Sequence, residues 1–278
     1  MIKTILVGID GSEHSRAAED YAIWLAGKLG ATLTGMHVVD IVAIEGSFFH
    51  DISGSLGFEP YLDFTSKMRE ALQARGNSLL EDFSARCEAR ERPSHTALQI
   101  GIVPTELAER ARESDLVVIG HRGVNHKFSA GMLGGVAENL IRQCTKPVLV
   151  TPQKFKPIES PLLAYDGSER ASAAMDAAAA VCSELGLGLE VLTVGTDADK
   201  TAEITAAAER YLSSYALKLE TRTIDGQAYE AIPKRVSEAG HDLVFMGSHG
   251  HSRIIEFVLG STTEYVLRNI ACPVFLSR

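Results

Sequence analysis

Cysteine is scarce: Cys87, Cys144, Cys182 and Cys272 are the only 4 in 278 residues, and no two form a CxxC pair. Their low density excludes a disulfide scaffold and their spacing a cysteine zinc site, as expected of a chain in a reducing compartment. Long apolar runs are lacking too, since no segment approaches the ~18 uncharged apolar residues of a membrane span. The opening MIKTILVGID meets Asp10 too early for the apolar core of a secretory leader. A cytoplasmic protein with no membrane partner is expected. Positive charge is in deficit, with 27 Lys+Arg against 36 Asp+Glu for a net −9, which disfavours nucleic acid and anionic lipid as partners. Several catalytic signatures are missing as well. Without GxxxxGK[ST] there is no P-loop lysine, without GxSxG no serine elbow, without HExxH no zinc-protease helix, and no protein-kinase set occurs.

What is present is a core's worth of apolar residues, 45% of the chain against 23% charged, and a length that suits two domains. The chain also repeats itself. TILVGIDGS at 4–12 lies over SPLLAYDGS at 160–168, so that Asp10-Gly11-Ser12 matches Asp166-Gly167-Ser168 at an offset of 156. DLVVIGHRG from Asp115 lies over DLVFMGSHG from Asp242 at 127, and KPVLVT from Lys146 over CPVFLS from Cys272 at 126. The falling offset assigns about thirty extra residues to the first half between its second and third strands, including the stretch 40–66. Pro152 and Pro157 bracket a short linker, dividing the chain into domains 1–153 and 158–278.

Each half alternates short apolar runs with amphipathic segments. ILVGI, ATLTGMHVV, HTALQI, LVVIG and PVLV read as strands of the first half, and PLLAY, LEVLTV, LETRTI, LVFMG and PVFL as those of the second. Strand alternating with helix predicts an α/β fold of two tandem doubly wound domains, each a five-stranded parallel sheet flanked by helices. Ligands of such sheets sit beyond the carboxyl ends of the strands.

Those ends collect glycines. In the second half Gly247-Ser248-His249-Gly250 is followed by nine residues and then Gly260-Ser261-Thr262 entering a helix. Glycines let backbone approach an anion, the helix start supplies free N–H groups, and the hydroxyls of Ser261 and Thr262 add donors for phosphate oxygens. Asp166, one strand over, is placed to accept from a ribose hydroxyl or to assist a cation. His251 and Arg253 are candidate donors along the phosphate path. A DGS turn alone is an ordinary N-cap; the glycine loop, with four ordered positions, is the more specific signal.

This Gly-x-x-Gly, nine-residue, Gly-Ser pattern resembles the nucleotide motif of the universal stress protein family, and the chain as a whole resembles a tandem member of it. The resemblance implies a Rossmann-like fold related to the adenine nucleotide alpha hydrolases. It also implies ATP as ligand, with or without Mg, held by Asp166, Val194, Gly247, Gly250, Gly260, Ser261 and Thr262, with His249 in the same loop. It further implies final strands that pair across a pseudo-dimer axis, here PVLVT with PVFLS, a homodimer of the whole chain, and a regulatory role in a stress response through a protein partner. The first half departs from the motif. Gly120-His121-Arg122-Gly123 is followed by ten residues, then Gly134-Gly135-Val136, so the loop is one longer and the hydroxyl is lost. The second half is therefore expected to be the better site, and Asp10, Val38, Gly120, Gly123, Gly134, Gly135 and Val136 a weaker one.

Other features carry plainer readings. His121, His126, His249 and His251 lack the carboxylate or cysteine neighbours of a structural zinc site, so no metal is expected. The stretch 40–66, with Phe48, Phe49, Phe58, Tyr61 and Phe64 among glycines, reads as an insertion that covers a pocket, docks on the other half, binds a partner or packs on its own domain. With no general base poised for the γ-phosphate, a non-enzyme is expected. Two alternatives stand beside it: a slow ATP hydrolase or phosphotransferase using Asp166, His249 and Ser261, and a protein-interaction module that binds no nucleotide.

Overall fold

The computed structural model describes residues 1–41, 60–123, 133–248 and 259–278, with the backbone alone for 60–65. The first half runs β1 (Thr4–Gly8), α1 (Glu13–Leu29), β2 (Thr32–Asp40), α2 (Pro60–Glu88), β3 (Ser94–Gly101), α3 (Val103–Ala111), β4 (Leu116–Gly120), α4 (Gly135–Gln143) and β5 (Val148–Thr151). The second repeats it as β6 (Pro161–Ala164), α5 (Glu169–Leu185), β7 (Leu189–Val194), α6 (Ala198–Leu212), β8 (Leu219–Ile224), α7 (Ala228–Ala239), β9 (Leu243–Gly247), α8 (Ser261–Asn269) and β10 (Val274–Ser277).

The halves share one ten-stranded sheet, in the order β3-β2-β1-β4-β5-β10-β9-β6-β7-β8. Within each half all pairings are parallel, and the junction alone is antiparallel, with Val150 opposite Val274 and Leu149 opposite Phe275. The expected strand pairing across the pseudo-dimer axis is thus present, and it covers the edges of β5 and β10, which otherwise invite aggregation. The linker is docked: Phe155 packs edge-on to Tyr21 with centroids 4.9 Å apart, and the Tyr21 hydroxyl accepts from the Lys156 N–H at 3.2 Å.

Alternation along the strands splits the core in two. Ile5, Val7, Leu149 and Phe275 point to the side of α1, α2, α5 and α6. Leu6, Val148, Val150 and Leu276 point to that of α3, α4, α7 and α8. The outermost strands are more polar: β8 is exposed along its middle, as an edge strand tolerates. Asp115 accepts from the N–H groups of Lys3 and Thr4, and Asp242 from those of Glu159 and Ser160, so the repeated aspartates clamp the start of β1 and β6 at the end of the sheet remote from the ligand side.

The last part of the insertion 40–66 is helical. Residues 60–66 open α2, whose 29 residues compare with 15 in α6. Proline at a first helical position is pre-organised for the start of a helix. Phe48, Phe49 and Phe58 lie outside the described residues.

Candidate functional site

In each half the strand order reverses between the first and fourth strands, which opens a crevice at their carboxyl ends. The DGS turns sit at its edge and serve the fold first. Ser12 caps α1 by accepting from the Ser15 N–H at 3.1 Å, and Ser168 caps α5 from Ala171 at 3.2 Å. Asp10 accepts from the Ser12 N–H at 2.8 Å and Asp166 from Ser168 at 2.9 Å. Gly11 and Gly167 lie at φ +80° and +78°, where side chains are strained.

The first motif glycines are also required by packing. A Cβ on Gly120 would stand 2.7 Å from His14 Cβ and 2.8 Å from its backbone carbon, and one on Gly247 3.0 Å from the Arg170 backbone carbon. Each fourth strand therefore ends against the first turn of α1 or α5. Gly123 is close to a candidate ligand-binding group, since a Cβ there would be 2.8 Å from Asp10 Oδ2.

Helices α4 and α8 begin differently. Gly134 (φ −64°, ψ 137°) and Gly260 (φ −61°, ψ 140°) occupy the N-cap positions, and neither helix has a side-chain cap among the described residues. The caps' own N–H groups are spent on the loops, Gly134 to the His121 carbonyl at 3.0 Å and Gly260 to that of Ser248 at 3.3 Å. The first-turn amides beyond them face the crevice with the positive end of the helix dipole, an arrangement suited to an anion. Thr263 is committed to the fold, its hydroxyl donating to the Gly247 carbonyl at 3.1 Å.

Two cavities result. The first, of about 450 Å³, is lined by Asp10, Val38, Gly120, Gly123, Gly134, Gly135 and Val136, all named above, together with Met36, Leu72, Arg75, Val103, Leu107 and Ile119, which sequence reasoning missed. The second, of about 280 Å³, is lined by Asp166, Val194, Gly247, Gly260, Ser261 and Thr262, with Leu192, Ala228, Ile232 and Met246 added. Apolar residues at inward positions of the second strand and third helix were the available signal for these walls. His249, Gly250, His251 and Arg253 lie outside the described residues, as does His126. The larger space in the first half runs against the motif, which favours the second. Two causes are visible: Gly8 lines the first cavity where Ala164 lines the second, and α2 contributes a wall for which α6 has no equivalent among the described residues.

Electrostatics separate the halves further. His121, in the first glycine loop, is pushed down to about 4 by burial and by the charges of Arg122 and His14, against a backbone hydrogen bond at Leu267. Ser248 stands at its place in the second half. The second half has its own buried carboxylate away from the cavity. Burial pushes Glu190 up, but a paired hydrogen bond from Arg235, at 2.7 and 2.6 Å, and the nearby His241 outweigh it and hold the group below the usual range. Among the described residues no group of three potential metal ligands occurs, and no helix is long and apolar enough to cross a membrane.

Comparison with known proteins agrees with this architecture. The model of the Universal stress protein family matches twice, at residues 1–152 and 160–278. Universal stress protein Slr1230 of Synechocystis is 33% identical over 290 aligned positions, covering all of both chains. Universal stress protein Mb2019 of Mycobacterium bovis is 26% identical, covering 99% of this chain and 94% of its own. Among solved structures, a universal stress protein of Archaeoglobus fulgidus superposes with a TM-score of 0.75 at 24% identity, over 99% of this chain and 96% of that one. The repeat, the paired crevices and these matches together make the chain a member of the universal stress protein family, with the family's domain present twice in tandem.

Proposed function

We propose that the protein binds adenine nucleotides and acts as a nucleotide-responsive regulator in a stress response, with the second half, 158–278, as its ATP site, with or without Mg. The observation that carries this reading is the start of α8. Helix α8 opens at Gly260, which has no side chain to cap it, Ser261 and Thr262 line the same cavity as Asp166, and hydroxyls and amides for phosphate thus face a carboxylate for ribose. The first half, 1–153, offers a second, differently lined cavity. Regulation rather than turnover is the reading because the sequence carries no P-loop, serine-elbow or protein-kinase signature. The protein works in the cytoplasm as a homodimer of the two-domain chain, signalling to a protein partner.

Calorimetric titration of magnesium–ATP into nucleotide-stripped protein tests the reading, alongside Gly260→Ala and Gly134→Ala. The expected result is a site lost in Gly260→Ala and retained in Gly134→Ala. No heat and no thermal shift at millimolar ATP would overturn it and turn attention to a protein-interaction module.

A further inference from the structure

Helix α2 is held tightly enough to serve as a wall. A Cβ on Gly76 would stand 2.5 Å from His37 Cδ2 and 2.7 Å from Leu98 Cδ1, so the helix backbone rests directly on β2 and β3. About two turns further on, Phe83 is fully buried against Gly35, and beyond it Arg86 pairs with Glu19 and Asp20 of α1. The residue before Gly76 is thereby fixed at the rim of the first cavity. That residue is Arg75.

Two carboxylates, Asp10 and Asp40, line the same cavity, but neither is paired with Arg75. Several helical arginines are neutralised three or four residues along, Arg110 by Glu113, Arg142 by Glu138 and Arg268 by Glu264. The corresponding neighbours of Arg75 are Ala71, Leu72, Ser78 and Leu79, and it forms no ion pair among the described residues. The start of α4, which lines the same cavity, offers Gly135 and Val136 where α8 offers Ser261 and Thr262. The first half has lost hydroxyl donors and gained a guanidinium.

We propose that Arg75 is an anion-binding residue of the first cavity, taking the phosphate end of an adenine nucleotide there and setting that site's selectivity apart from the second. This rests on the nucleotide reading above. A guanidinium presents two parallel donors to a phosphate and stays charged at any working pH, so it offsets phosphate charge without a metal ion. An exposed charge pair weakens with salt. The first site therefore binds ATP without magnesium, and its affinity falls as salt rises.

Magnesium-free titration of ATP into the full chain carrying Ser261→Asp, whose carboxylate repels phosphate from α8, isolates the first site. The same chain with Arg75→Gln or Arg75→Lys added is the comparison. We expect Gln to weaken binding roughly tenfold and to flatten the salt dependence, with Lys between. Melting should be unchanged, because Arg75 is exposed and makes no ion pair among the described residues. Affinity within about twofold and an equal salt slope in the Gln variant would remove Arg75 from the site and leave the nucleotide reading standing. Binding by the unaltered chain that disappears with Ser261→Asp would likewise overturn this inference alone. No ATP binding by the unaltered chain would overturn both.

Discussion

At the mouth of its crevice the first half has Gly8, Gly135, Val136 and Arg75; the second has Ala164, Ser261 and Thr262, and no residue of α6 reaches the cavity among the described residues. Away from the mouth the halves agree closely. Ser12 and Ser168 cap equivalent helices, Asp115 and Asp242 clamp equivalent strands, and Gly120 and Gly247 pass equally close to α1 and α5. The positions that packing dictates are the same in both copies, and those that face open space differ. Such a division is what two sites with different ligand preferences on one scaffold require, and it can be attacked from either side.

Detaching α2 should have the largest effect. Phe83 is fully buried, and Gly35 exists to receive it, since a Cβ there would stand 2.5 Å from the ring. Phe83→Ala is expected to cost about 3–5 kcal/mol in denaturant unfolding, from lost burial and the cavity left behind. Nucleotide binding by the first half should be lost with it, while the second cavity, which α2 does not line, keeps its affinity. A variant that loses stability and binds normally in both halves would show that α2 is no part of the first site.

The acid response should also divide the halves. His121 titrates near 4 in the folded protein, well below the ordinary 6.5 of an unfolded histidine. A lowered histidine pKa means the unfolded chain takes up the proton first, so stability is intact above about pH 6.5 and falls as pH drops towards 4. The full loss approaches about 3 kcal/mol. His121→Asn should flatten the unfolding free energy over that window, measured by urea titration at several pH values. An unchanged profile would mean that the imidazole is already solvated.

The repeat blocks made the fold legible: they announce the duplicated sheet, and PVLVT and PVFLS its junction. The glycines and aspartates of the crevice were legible because strand-end turns and helix starts follow local rules. Arg75 was not. Its place depends on α2 meeting β2 and β3 through Gly76, a contact between residues far apart in the chain whose closeness no local pattern encodes. Asp115 and Asp242 were visible as repeats, but their role as clamps appears only when β1 and β6 are laid beside them. Pro60 was a usable helix-start signal that the surrounding aromatics and glycines obscured.

The smallest effect gives the sharpest comparison. Gly135 and Ser261 hold the same first helical position, and a Cβ on Gly135 meets nothing within 4 Å. Gly135→Ser therefore adds a hydroxyl without displacing anything, and replacing glycine inside a helix adds a little stability of its own. A hydrogen bond from that hydroxyl to a phosphate oxygen is worth about 1 kcal/mol net, or roughly fivefold in affinity at the first site. Ser261→Gly should take about as much from the second. Reciprocal shifts in a two-site ATP titration would assign the difference between the halves to this one position. A gain in the first half without a matching loss in the second would instead show that Thr262 and the amides of α8 suffice there, the hydroxyl of Ser261 remaining with solvent.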